Sequence, residues 1–82
     1  MRNPVLEHHI LAILNRVDCG LKEKTLMAEV SLAMDRHDLT TLEFEDTMIY
    51  LSDRLLVENW ENSLGDKVYG ISNGGRDALK GL

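Results

Sequence analysis

Three histidines and one cysteine are the side chains in this 82-residue chain that could bind a transition metal. His8 and His9 are adjacent in a predicted helix, so their side chains point about 100° apart. Without special geometry, His8 and His9 could therefore not bind the same metal ion together with Cys19 or His37. Cys19 directly precedes Gly20, outside any recognisable Cys and His framework, which favours a packed or idle thiol over a catalytic one. We predict no metal site.

A glycine pair is the other candidate for chemistry, because glycine-rich loops can hold phosphates. Gly74 and Gly75 follow a predicted strand, but they lack the Lys-Ser/Thr of a P-loop and the glycine spacing of a dinucleotide fingerprint. No serine lies in a nucleophile elbow. The pair is therefore interpreted as a turn, and we predict a protein without enzymatic activity and without a cofactor.

Charge is concentrated in one part of the sequence. Residues 38–66, called the acidic segment below, hold eight acidic side chains and one basic side chain, that of Arg54. The segment therefore carries −7, whereas the rest of the chain carries +2 and the whole chain −5. Such an asymmetry suggests that two faces of the molecule meet different partners.

Length and apolar content predict a cytoplasmic chain without a membrane partner. The longest apolar stretch, residues 10–14, is too short to span a bilayer, and MRNPVLEHH lacks the pattern of a signal peptide. A single cysteine cannot form an internal disulfide, as expected in a reducing compartment. We expect one domain over residues 1–82, burying about 60% of the surface that the unfolded chain exposes.

Two helices are predicted in the first half of the chain. The first begins at Asn3, an N-cap followed by Pro4, and its apolar residues repeat at helical spacing until Gly20 supplies a left-handed stop. A second helix over residues 25–34 follows the polar break LKEK. The loop DRHD comes next and is expected to leave Arg36 exposed.

The third helix is predicted from two start signals that agree. Thr40 as N-cap and Glu43 three residues later form a capping box. Leu39 and Phe44 form a hydrophobic staple around the same helix start. The stripe expected to face the core consists of Phe44, Met48, Leu51 and Leu55.

After the third helix the pattern becomes that of a β-hairpin. LLVENWE and KVYGIS are rich in β-forming residues, and NSLGD between them is a turn cluster. Ser72 then caps a short last helix that carries Ala78 and Leu79. The residues expected to share one core are Leu6, Ile10, Ile13, Val30, Phe44, Met48, Leu51, Leu56 and Tyr69.

The segments YLSDRLLVEN and YGISNGGRDAL form a pattern that covers the hairpin and its flanks. The residues that define the pattern are Leu51, Leu56, Val57, Tyr69, Ile71, Ser72, Gly75 and Leu79. On these residues the chain resembles winged helix-turn-helix domains of the PadR, MarR and ArsR kinds over nearly its whole length. The resemblance implies a mainly α fold with a three-helix core, a two-stranded β-hairpin wing and a short C-terminal helix. Leu55 replaces the small residue usual in the family and would lengthen the third helix or add packing.

The resemblance implies a DNA-binding transcriptional regulator, because the third helix of most winged helices enters the major groove of duplex DNA. Such binding needs cationic or polar side chains against the phosphates. The candidates are Lys22, Lys24, Arg36, Thr41, Arg54 and Lys67. Because the acidic segment carries −7, we expect weak or atypical DNA binding.

The alternative is a protein-interaction module that does not bind DNA. Leu42 and Ile49, one heptad apart, form an apolar line off the core stripe of the third helix. They would be the anchors of an interface, and Glu45, Asp46 and Asp53 would be its acidic rim. An acidic rim selects a basic protein partner, and a homodimer through the apolar line is also open.

Overall fold

The computed structural model of the chain describes residues 3–17 and 19–81. Over those residues it shows a small mixed α/β domain with four helices and a three-stranded antiparallel sheet. In chain order the elements are α1 (Pro4–Asn15), β1 (Leu21–Lys22), α2 (Glu23–Ala33), α3 (Thr41–Asp53), β2 (Val57–Glu61), β3 (Lys67–Ile71) and α4 (Asn73–Lys80). Among these described helices, none combines the length and the apolar character needed to cross a membrane.

The sheet has one more strand than the sequence predicts. Its order is β1-β3-β2, and β2 and β3 form the predicted hairpin with Asn59 opposite Tyr69 at its centre. β1 lies on the other side of β3, where Leu21 pairs with Tyr69. The prediction of a two-stranded wing was therefore incomplete. A strand of two residues is too short to show an alternating pattern, and it forms here by pairing with β3.

Helix α1 begins as predicted but ends earlier. The Asn3 side chain accepts a hydrogen bond from the Leu6 N–H at 3.2 Å, which confirms the N-cap. The helix ends at Asn15, so Gly20 is not its stop. Gly20 instead has a φ of +77° beside β3, where an added Cβ would lie 2.7 Å from the Tyr69 carbonyl oxygen. A close tertiary approach therefore explains this glycine.

Helix α2 begins at Glu23, so half of the predicted polar break LKEK is helical. Its N-cap residue, Lys22, makes no side-chain hydrogen bond to the helix. This explains why the sequence contains no capping signal at that point. Leu26 and Val30 are fully buried one helical turn apart, and Met34 packs against the core while partly exposed.

Helix α3 starts at the predicted cap, since the Thr40 hydroxyl oxygen accepts a hydrogen bond from the Glu43 N–H at 3.1 Å. The Glu43 carboxylate does not complete the capping box, because it binds Arg36. The helix ends at Asp53, and Leu55 has a left-handed φ of +59° and is 77% exposed. The prediction that Leu55 extends the core stripe was therefore wrong, because the chain turns at this residue into β2.

One hydrophobic core lies between the helices and one face of the sheet. The predicted core residues that are buried in it are Leu6, Ile10, Ile13, Val30, Phe44, Met48, Leu51 and Tyr69. Leu56 packs against this core but is only partly buried. Val68 is buried outside the core, because successive strand residues point to opposite faces and Tyr69 faces the core. Val68 pairs with Trp60 on the second face of the sheet.

The glycine pair lies inside α4 and is not the turn that the sequence analysis predicted. Ser72 caps this helix, since its hydroxyl accepts a hydrogen bond from the Gly75 N–H at 3.0 Å and donates one to the Leu55 carbonyl at 2.7 Å. An added Cβ on Gly75 would lie 2.2 Å from the Leu56 carbonyl oxygen. The glycine therefore allows α4 to pack directly on the chain that leads into β2.

Replacing the N-cap Thr40 by alanine is expected to lower the free energy of unfolding by about 1 kcal/mol, because the Glu43 N–H loses its acceptor. Chemical denaturation of both proteins measures the difference. Thr41→Ala is the matched control, since Thr41 is exposed in the same turn and should change stability by less than about 0.5 kcal/mol. Equal stability of the two variants would contradict the capping role.

Candidate functional site

The exposed side of α3 carries the residues that the sequence analysis proposed as a protein interface. Apart from the adjacent pair Glu45 and Asp46, neighbouring positions are three or four residues apart, so the residues form one continuous stripe along the helix. We call this stripe the acidic face, and it consists of Leu42, Glu45, Asp46, Ile49 and Asp53. All five side chains are exposed, with Leu42 at 68% and Ile49 at 59%. The structure therefore brings together the whole predicted set.

A shallow cleft of about 290 Å³ extends the acidic face towards the sheet. Glu45 and Ile49 line it from α3, Glu23 from α2, and Lys67 and Tyr69 from β3. The Lys67 ammonium lies 5.2 Å from the centre of the Tyr69 ring. The neighbouring Tyr69 side chain raises the pKa of Lys67, and the charges of Glu23 and Glu45 contribute less. The Lys67 ammonium of the chain itself therefore already lies beside the carboxylates on this side of α3.

Arg36 is held by carboxylates, contrary to the prediction of an exposed loop cation. Its guanidinium donates two hydrogen bonds to the Glu43 carboxylate, both at 2.9 Å, and one to Asp38 at 3.0 Å. The Arg36 side chain is only 26% exposed. The hydrogen bond from Arg36 also lowers the pKa of the Glu43 carboxyl, although partial burial opposes the shift. Arg36 thus ties the turn after α2 to the first turn of α3.

Three of the candidate DNA contacts meet at one groove. Lys22, Lys24 and Lys67 line an open groove of about 550 Å³ between the start of α2 and the turn of the hairpin. Two carboxylates share this groove, and Asp66 lies 3.2 Å from the Lys22 ammonium. Glu23 is the other, so the groove as a whole is only weakly positive.

The other candidate DNA contacts lie elsewhere. The Arg54 guanidinium lies 5.4 Å from the centre of the Tyr50 ring, beside a pocket of about 180 Å³ that α1 and α4 help to line. Thr41 is exposed in the first turn of α3. Arg36 lies at the turn between α2 and α3. The six residues predicted for DNA binding therefore do not form one surface.

The candidate metal ligands are dispersed over the molecule. The Cys19 side chain is exposed, and the His37 side chain is 94% exposed. The rings of His8 and His9 lie edge to face with their centres 5.8 Å apart. In the described parts of the chain, 3–17 and 19–81, no three His, Cys, Asp or Glu side chains are grouped so that they could hold a metal ion.

Trp60 is a surface residue whose position the sequence analysis did not foresee. Its ring covers two glycines, since an added Cβ on Gly20 or on Gly70 would each lie 2.9 Å from it. The side chain remains 42% exposed on the sheet face opposite the core. The alternation of Trp60 with Val57 in β2 could have indicated this face, whereas its contact with Gly20 depends on the fold.

Comparisons of the chain with known protein families, with curated proteins and with solved structures find no match.

Proposed function

We propose that this chain is a winged-helix protein-interaction module that binds a basic protein surface through the acidic face of α3. The observed order of elements, with three helices before a β-hairpin and a short last helix, is compatible with the winged-helix resemblance. In that fold the third helix commonly makes the contacts to a partner, so its exposed side is the natural place to look for function.

The observation that carries the proposal is the exposure of Leu42 and Ile49 on the acidic face, on either side of Glu45 and Asp46. They are 68% and 59% exposed, although both are large aliphatic side chains on a regular helix. Covering them would contribute about 1.5–3 kcal/mol each before the costs of ordering the interface. Interfaces typically combine such an apolar centre with a polar rim.

The charge around these two side chains defines the partner. Glu45 and Asp46 are one helical turn from both anchors, and Asp53 extends the stripe towards the end of α3. All three carboxylates are exposed, so they act through steering and selectivity rather than through deeply buried ion pairs. A partner with basic side chains around an apolar patch would match this arrangement.

DNA-linked regulation is the second candidate, and the groove of Lys22, Lys24 and Lys67 is the observation that favours it. Phosphate binding there would compete with Asp66, which already pairs with Lys22. The acidic face would also repel the phosphate backbone. Any DNA binding is therefore expected to be weak, strongly dependent on salt and carried by this groove.

Replacing both anchors, Leu42→Ser with Ile49→Ser, is expected to abolish partner binding and to leave the fold intact. The 82-residue chain and this variant would each be immobilised to capture partners, and a purified partner would then be measured by calorimetry at several salt concentrations. Glu45→Gln with Asp46→Asn is the matched charge variant. It should mainly slow association and flatten its salt dependence.

Three results would overturn this proposal. The first is unfolding of the double serine variant, because both residues would then belong to the core. The second is equal binding of a purified partner by the wild type and the serine variant. The third is tight binding of random duplex DNA that is lost on Glu45→Gln with Asp46→Asn, because the acidic face would then be a DNA-reading surface.

A further inference from the structure

The outer side of β2 is an open sheet edge. The strand order β1-β3-β2 places β2 at the end of the sheet, with β3 as its neighbour on one side. Its five residues, Val57–Glu61, pair with β3 in an uninterrupted register without a bulge. Such an edge presents a row of backbone donors and acceptors that can bind another strand.

The hydrogen bonds at the two ends of the hairpin show which backbone groups face outwards. The Ser72 N–H donates to the Leu56 carbonyl at 3.2 Å, and the Asn62 N–H donates to the Asp66 carbonyl at 3.0 Å. Because hydrogen-bonded and non-hydrogen-bonded pairs alternate in an antiparallel ladder, residues 58 and 60 also face β3. The N–H and C=O groups of Val57, Asn59 and Glu61 therefore face away from β3. Val57 is only 5% exposed, so the accessible part of the edge lies at Asn59 and Glu61. Beyond the β2–β3 ladder, no hydrogen bond joins the backbone groups of Asn59 and Glu61 to other residues in ranges 3–17 and 19–81.

We propose that the β2 edge binds an extended, basic segment of a partner protein as an added fourth strand. The backbone groups of Asn59 and Glu61 would pair with two alternate residues of that segment. Unlike the proposed function, this inference does not involve the acidic face of α3. The two surfaces can therefore be tested separately.

The charge on β2 favours a basic occupant. Glu58 and Glu61 are both exposed, and β2 itself carries no basic residue. Opposite charges on neighbouring strands stabilise strand pairing, and like charges destabilise it. Glu58 and Glu61 lie on opposite faces of β2, and Glu61 is opposite Lys67 of the same chain. Lysine or arginine at alternate positions of the segment would therefore meet Glu58, and such a segment would bind more tightly than a neutral or acidic one.

A second copy of the chain fits the edge less well. In the symmetric antiparallel pairing centred on Asn59, the two Glu58 side chains would lie diagonally opposite each other on one face. Each copy also carries a net charge of −5. The carboxylates therefore act against pairing between copies, a protection that natural edge strands commonly need.

The Trp60 ring extends from β2 across β3 to Gly20, away from the outer edge of β2. It lies on the sheet face opposite the core and is 42% exposed. Trp60 is the only tryptophan in the chain, so its fluorescence would report on binding to the strand that carries it.

The first test uses the synthetic peptide TKVRVKT as a probe for the full chain, followed by Trp60 fluorescence and backbone amide shifts. Binding should shift the amides of Asn59 and Glu61. N-methylation of one alternate set of peptide amides should weaken binding by at least about tenfold, and methylation of the other set should change it by less than about threefold. The acidic peptide TEVEVET is the control and should not bind.

The matched protein variant is Asn59→Pro, which removes one outward N–H but leaves the hydrogen bonds to β3 in place. It should fold and lose peptide binding. Asn59→Ala should fold and still bind the peptide. The Leu42→Ser with Ile49→Ser variant should also bind it, because that change alters only the acidic face of α3.

Several outcomes would overturn the inference. One is that the two N-methylated peptides lose affinity equally. Another is that TEVEVET binds as tightly as TKVRVKT. A third is that a folded Asn59→Pro variant binds TKVRVKT as tightly as the wild type. Unfolding of Asn59→Pro would show that its N–H belongs to the β2–β3 ladder and would equally overturn the assignment of the edge. Dimerisation that Asn59→Pro abolishes would identify a second copy as the occupant.

Discussion

Replacing Phe44 by alanine is expected to lower the free energy of unfolding by about 3–5 kcal/mol. Phe44 is completely buried and is the largest of the fully buried side chains. The substitution removes the apolar contacts of the ring and leaves a cavity that the surrounding helices can fill only in part. For a domain of 82 residues such a loss is comparable to the whole stability.

Urea denaturation followed by circular dichroism would measure this loss. Leu42→Ala is the matched control, because Leu42 lies two positions earlier on the same helix and is 68% exposed. It should change stability by less than about 0.5 kcal/mol. If Phe44→Ala were no more destabilising than Leu42→Ala, the assignment of the two faces of α3 would be wrong.

Replacing Gly75 by alanine is expected to cost about 3 kcal/mol, at the upper end of the range for overpacking. The added Cβ would lie 2.2 Å from the Leu56 carbonyl oxygen and 2.7 Å from the Ile71 Cγ1 atom. The first of these atoms belongs to the backbone just before β2, so it cannot move without displacing the hairpin. The normal gain from alanine in a helix, up to about 1 kcal/mol, does not offset this clash.

Gly81→Ala is the matched control for the second prediction. Gly81 is the C-cap of the same helix and has a φ of −81°, so alanine can adopt its conformation. The nearest atoms to an added Cβ lie 3.7 Å away, which is an ordinary contact. Thermal unfolding of both variants would compare them. Equal melting temperatures would mean that α4 does not pack closely on the chain before β2.

Both proposed binding surfaces lie in the acidic segment, residues 38–66. The acidic face of α3 offers exposed aliphatic side chains, whereas the edge of β2 offers unpaired backbone groups. A basic partner could contact either of them or both. The concentration of charge in the sequence is therefore consistent with two surfaces that select the same kind of protein.

Local signals in the sequence were sufficient to predict most of the elements. Asn3, Thr40 and Ser72 each lie where a helix begins, because the hydrogen bond from a cap side chain involves residues only three positions away. The helical spacing of Phe44 and Met48 predicted their burial, since a helix places such residues on one face. The exposure of Leu42 and Ile49 follows from the same geometry.

Features that depend on distant parts of the chain could be decided only by the tertiary structure. β1 forms because its two residues reach β3, and Gly20 is needed because the chain passes close to Tyr69. Arg36 was predicted to be free for phosphates, but the folded chain brings the Glu43 carboxylate to it. Leu55 continues the helical pattern in sequence, yet the turn into β2 gives it a left-handed backbone and exposes it. Spacing along the sequence predicts contacts within one element, whereas these contacts depend on how separate elements pack.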